Sequence, residues 1–203
     1  MWSTNLIAGA MLMGAVTTAA TFNEVPTDAD LVVHVYDKVE IAKLEFGSAK
    51  RQAARLLANA GIKVRFVDCL IGPTGKCDDT TDPRTIIMSI EGTVPDRLRT
   101  ALGYALPYTE RANRATLNYP RIEKTSPFHT ECLLGTVIAH ELAHLLFRST
   151  AHGSGMMKDK WTAEDIKAMS ENRLGFSPEQ AYGLRAGLQA RLNGTVVAVN
   201  RLP

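Results

Sequence analysis

The sequence predicts a single α+β domain: a small twisted mixed sheet with a crossover helix, a long apolar helix in mid-chain and further helices at the C-terminal end. Three observations lead there. Runs of β-branched residues alternate with segments of helical period through the first half. Helical periodicity alone remains after residue 130. A chain of 203 residues, 45% of them apolar, buries roughly 70% of its unfolded surface and holds one core without a disulfide scaffold.

Taken in order, Leu31-Val32-Val33-His34-Val35-Tyr36 reads as the first strand. Residues 45–60 place Phe46, Ala49, Ala53, Leu56, Leu57 and Ala60 on one helical face, with Lys50, Arg51 and Arg55 on the other. Gly61 stops that helix, and residues 62–67 alternate as a second strand. Residues 85–90 make a third. A strand, a helix and a strand in succession form a crossover unit, so the first strands are expected to be parallel neighbours. Asp96 caps a short helix over 97–106, closed by Pro107. Residues 114–119 form a weaker strand, which Pro120 assigns to a sheet edge, where an extended peptide could add as a further strand. Three more helices are expected at 130–147, 162–171 and 178–192. The last opens on Ser177-Pro178-Glu179-Gln180, a cap with Pro at the first position. No internal repeat or linker divides the chain.

Lys and Arg total 23 against 21 Asp and Glu, spread along the chain without a basic run, which argues against a nucleic-acid partner. The first 37 residues hold no Lys or Arg, and Leu6–Val16 is an uninterrupted apolar run followed by Thr17-Thr18-Ala19-Ala20. That is the length of a signal-peptide core and too short to span a membrane. Residues 1–20 are therefore expected to be a signal peptide and 21–203 the mature domain, secreted or periplasmic and monomeric, without a membrane span. Cys69 and Cys77 flank a loop with Gly72-Pro73 and Gly75, turn formers that bring its ends together. A bridge there contributes about 2.5 kcal/mol in the chain-entropy model. Cys132 is left over, a small buried hydrophobe or a free thiol.

The chemistry is concentrated at His140-Glu141-Leu142-Ala143-His144, an H-E-x-x-H inside a helical run. Residues i and i+4 are neighbours on a helix, so both imidazoles can reach one metal ion. Glu141 falls beside them, placed to take a proton from a water held by zinc. The flanks Thr136–Ala139 and Leu145–Phe147 are apolar, and a buried ionisable triplet needs a reason. Catalytic zinc needs a third protein ligand and an open fourth position. His152, eight residues after His144, is the favoured third ligand. Glu164 is the rival, although Thr162-Ala163-Glu164-Asp165 also reads as an ordinary helix N-terminus.

The segment Ala139–Trp161 resembles zinc metallopeptidases of the metzincin kind, in which a third His follows H-E-x-x-H and a Met-turn supports the site. It is more closely similar to a group of small exported bacterial proteins with A-H-E-x-x-H-L-L-L-G-x-x-x-H, a short G-I-M turn and a basic stretch ending in Trp. Here those positions are Ala139-His140-Glu141, His144–Arg148, His152, Gly155-Met156-Met157 and Lys158–Trp161. The resemblance implies a zincin-like fold, one zinc ion on His140, His144 and His152, Glu141 as general base, and Met157 as the Met-turn residue. Two departures stand out: Phe147 and Arg148 occupy the positions where those proteins have Gly, and the His152–Met157 interval is one residue shorter. No Tyr stands just after Met157, where the resembled enzymes use one to stabilise an oxyanion, which leaves Tyr104, Tyr108, Tyr119 and His129 as chemically able groups. The expected function is a secreted zinc endopeptidase acting on a peptide or protein substrate. The alternatives are a zinc-holding binding protein without turnover and a cytosolic repressor-cleaving metalloprotease, which shares H-E-L-A-H-L-L.

Overall fold

A computed structural model describes residues 30–69, 77 and 81–194. The expected signal peptide at 1–20 and the interior of the Cys69–Cys77 loop lie outside them. Strands β1 (Asp30–Asp37), β2 (Lys63–Asp68), β3 (Thr85–Glu91), β4 (Gly103–Ala105) and β5 (Arg114–Asn118) form one sheet in the order β2-β1-β3-β5-β4. β1 pairs in parallel with β2 and β3, and β3 with β5. β4 runs antiparallel along β5, with Tyr104 opposite Thr116. The crossover from β1 to β2 is helix α1 (Lys43–Asn59), which buries Phe46, Ala49, Ala53, Leu56 and Leu57. Gly61, at φ +82°, turns the chain into β2, a left-handed conformation that glycine adopts without steric cost.

Helix α2 (Tyr119–Thr125) and helix α3 (Thr130–Phe147) follow the sheet, then α4 (Ala163–Ser170) and α5 (Pro178–Leu192). In α3, sixteen of eighteen residues are buried, as expected of a helix apolar on all sides. Glycines let its neighbours come close. A Cβ on Gly135 would lie 2.5 Å from the Ala49 carbonyl of α1, and one on Gly187 of α5 would collide with the Leu146 carbonyl. A Cβ on Gly183 would stand 2.9 Å from the Phe147 ring. Both ends of α3 are thus held by backbone-close packing. Capping boxes, Thr162 with Asp165 and Ser177 with Gln180, open α4 and α5.

Two sequence expectations are corrected. Residues 97–106 do not form a helix: a single 3₁₀ turn, Asp96–Leu98, precedes β4. Pairing with β5 outweighs the weak local helical preference, and the Leu106 amide extends the ladder by donating to the Arg114 carbonyl at 3.0 Å. Nor is the 114–118 strand an edge, since β3 and β4 flank it. Pro120 instead sits in the first turn of α2, where its missing N–H costs nothing. The edges are β2 and β4. Among the described residues, no helix is long and apolar enough to cross a membrane.

Candidate metal centre

Helical spacing puts His140 and His144 one turn apart on α3, and packing holds both buried. Each ring is fixed from behind by a backbone carbonyl. His140 Nδ1 lies 2.8 Å from the Met156 oxygen and His144 Nδ1 lies 2.8 Å from the Ser149 oxygen. A carbonyl only accepts, so each Nδ1 carries the proton and each Nε2 presents a bare lone pair in the neutral ring. Those two Nε2 atoms face one another at 2.9 Å. Two lone pairs at that distance repel, and a cation shared between them removes the repulsion. Burial pushes the His140 pKa down to about 3, aided by neighbouring His144, and burial likewise lowers His144 to about 4. Both rings are therefore neutral near pH 7 and available as ligands.

His152 completes the group. Its ligating atom and those of His140 and His144 lie within 4.8 Å of one another, with His152 on the exposed side. The chain returns to α3 through Arg148, which ends the helix in the left-handed conformation (φ 50°, ψ 44°). This is the position where the resembled proteins carry Gly, and a non-Gly residue there costs roughly 1–2 kcal/mol. Asp159 Oδ1 is 3.9 Å from His152 Nδ1. Trp161 packs edge-on against His140, centroids 5.2 Å apart, and donates its indole N–H to the Gly155 carbonyl at 3.2 Å. Met156 and Met157 are buried in the 3₁₀ turn Gly155–Met157, whose Met156 carbonyl backs the His140 ring. A Lys158–Asp165 ion pair at 2.7 Å ties that turn to α4. Glu164 is not among the clustered histidine ligands and is exposed in the first turn of α4, where hydrogen bonds from the backbone and then from Thr162 lower its pKa.

Glu141 is buried, and burial raises its carboxyl pKa to about 8. Its Oε2 has no hydrogen-bond partner among the described residues. On its other side stands Gly103 of β4, where a Cβ would lie 2.9 Å from Oε1. The edge strand and the carboxyl therefore share one wall. Of the four groups considered for an oxyanion, Tyr119 is engaged elsewhere by donating to Glu45 at 2.8 Å. His129 caps the far end of α3, about three turns from His140. Tyr104 alternates with Gly103 and so points to the opposite sheet face. Tyr108 alone reaches the histidine loop: its hydroxyl accepts from the Thr150 amide at 3.2 Å and lies 3.3 Å from the Thr150 hydroxyl. Gly103, Asp159 and Trp161 carry no role that spacing alone reveals.

Elsewhere, Cys69 and Cys77 form a disulfide and Cys132 is a half-buried free thiol, whose pKa burial and Glu131 raise. No protein-family model and no curated protein matches the sequence. The crystal structure of archaemetzincin from Methanopyrus kandleri is similar in fold, with a TM-score of 0.52 over 80% of this chain and 97% of that one. The two sequences are 12% identical over that match, so the likeness establishes a zincin-like fold and leaves the chemistry to the residues themselves.

Proposed function

We propose that this protein is a secreted zinc-dependent endopeptidase. The observation that carries the reading is the pair of bare, buried Nε2 atoms facing each other at 2.9 Å with His152 alongside. Three imidazoles with one open position are the donor set of a catalytic zinc site, and the carbonyls behind two of the rings fix their tautomers. His140, His144 and His152 would hold the ion. Zinc, when bound, acts as a Lewis acid that polarises a carbonyl and makes water acidic near neutral pH.

The chain supplies the rest. Glu141 is the general base that takes the proton of the attacking water and passes it to the leaving amine, so that peptide and water become a carboxylic acid and an amine. Burial holds the Glu141 carboxyl high in the metal-free chain, and a cation on the histidines would draw it back toward the carboxylate that a base requires. β4 ends the sheet beside Glu141, so an extended substrate added to that edge runs past the base. This moves the expected peptide-binding edge from 114–119 to 103–105. Met157 supports the imidazoles from below, and the Tyr108 hydroxyl is the nearest described phenol to the histidine loop. The disulfide supports an oxidising compartment, as does the apolar leader composition.

Glu141→Gln tests the role of the base. The variant is expected to retain zinc and lose about 10²–10⁴ in turnover on an unfolded protein substrate. Unchanged turnover would remove the enzyme reading.

A further inference from the structure

Side chains alternate across a strand, so His34 leaves β1 on the face opposite Leu31, Val33 and Val35, which enter the core. There it meets the disulfide. A ring nitrogen of His34 and the sulfurs of Cys69 and Cys77 all lie within 4.8 Å of one another. Both cysteines are buried, and β1 holds each of them. The Cys69 amide donates to the Val35 carbonyl at 2.8 Å, and the Tyr36 hydroxyl donates to the Cys77 carbonyl at 2.8 Å. His34 Nδ1 is buried and has no hydrogen-bond partner among the described residues. A disulfide gives an imidazole little to bond with, whereas two thiolates and an imidazole are a soft ligand set.

We propose that, once the bridge is reduced, His34, Cys69 and Cys77 form a second metal site, for a thiophilic divalent ion of the zinc type. Disulfide and metal are then alternative closures of one loop. A dithiol reductant delivers two electrons to the sulfur pair, the S–S bond breaks, two thiols form, and the reductant leaves as its own disulfide. Metal binding releases both thiol protons to solvent, and the neutral imidazole contributes its lone pair. At metal–sulfur and metal–nitrogen lengths of about 2.3 and 2.0 Å, the ligating atoms stand roughly 3.5–3.8 Å apart. The sulfurs must therefore separate while the nitrogen needs little movement. Because β1 positions all three residues, the site is preorganised up to that separation.

Cobalt(II) is the probe, in a Cys132→Ser background, with a phosphine as reductant (oxidised to its oxide with water supplying the oxygen). Reduction is expected to add one bound metal per chain and a sulfur-to-cobalt charge-transfer band. The histidine group on α3 has no sulfur and cannot produce that band, so the result does not depend on the peptidase reading. His34→Ala is expected to weaken the sulfur-bound metal at least about tenfold. No band after reduction, or equal affinity in His34→Ala, would overturn the proposal. Should His34→Ala lose its fold by circular dichroism, ¹¹³Cd NMR of the reduced parent with ¹⁵N-labelled histidine decides instead. A two-sulfur cadmium resonance coupled to one imidazole nitrogen supports the site, and absence of that coupling overturns it.

Discussion

Among the described residues stand two groups of three side chains able to ligate a metal, built in opposite ways. His140, His144 and His152 stand on and just beyond α3, a helix that α1 and α5 hold at backbone-close contacts. Their environment excludes protons and sets bare nitrogens against each other, so the group is strained until a cation arrives. His34, Cys69 and Cys77 stand on β1 and at the ends of a loop, where a covalent bond already satisfies two of the three. The first group is open to a metal as it stands, and the second becomes so only through redox chemistry. The difference lies in the donors: imidazoles cannot neutralise one another, whereas thiols can.

Perturbing the clamp on α3 separates the two groups most strongly. Gly187→Ala drives a methyl into the Leu146 carbonyl, and overpacking of this kind costs about 1–3 kcal/mol. The expected result is a melting temperature lower by roughly 3–10 °C, weakened metal binding at the histidines and an intact disulfide. Calorimetry and thiol counting check it. An unchanged melting temperature would mean that the helices are free to move apart.

Proton linkage distinguishes them more gently. His140 and His144 titrate at about 3 and 4, below their ordinary 6.5, so the unfolded chain binds more protons and stability falls as pH drops below 6.5. Glu141 titrates at about 8, above its ordinary 4.5, so the folded chain keeps a proton that the unfolded one loses, and stability falls as pH rises from 4.5 through 8. Two histidines outweigh one carboxyl below pH 6.5, so metal-free protein should be most stable near pH 6.5, losing stability on both sides. In Glu141→Gln the decline above pH 6.5 should be reduced, the slope between 4.5 and 6.5 should steepen, and the profile below 4.5 should be unchanged. Melting curves across pH 3–9 check this, and a wild-type profile matching Glu141→Gln would contradict it.

The smallest effect belongs to the turn between the second and third histidines. Arg148 pays for a left-handed conformation that glycine adopts freely. Arg148→Gly should stabilise the protein by about 1 kcal/mol, less whatever its side-chain bond to the Thr109 carbonyl at 3.3 Å contributes. Denaturant unfolding measures it, and destabilisation would show that the side-chain bond outweighs the backbone strain.

These regions also differ in how far the sequence reveals them. Helix α3 is readable residue by residue, because an apolar run interrupted only by H-E-x-x-H admits one interpretation, and the expected bounds 130–147 coincide with the observed ones. β1, α1, β2 and β3 follow from alternation and from Gly61. β4 does not: three residues are too few to alternate, and its existence depends on β5. The Pro120 signal is ambiguous in kind, since proline suits both an edge strand and a first helical turn, and α2 has no other local signature. At the candidate site, His140 and His144 follow from spacing, but the placement of His152 rather than Glu164 beside them depends on the reversal at Arg148. Gly103 reaches Glu141 only because β4 lies at the sheet edge, a tertiary fact without a local signature. His34 meeting Cys69 and Cys77 is likewise a product of strand register.

The most direct test of the histidine centre is zinc content with K-edge absorption on the purified protein, wild type beside His152→Ala, both kept oxidised so that the sulfur group stays closed. One zinc per chain with three nitrogens at about 2.0–2.1 Å, falling to two nitrogens in His152→Ala, is the expected result. No zinc in the wild type, or an identical ligand shell in the variant, would contradict it.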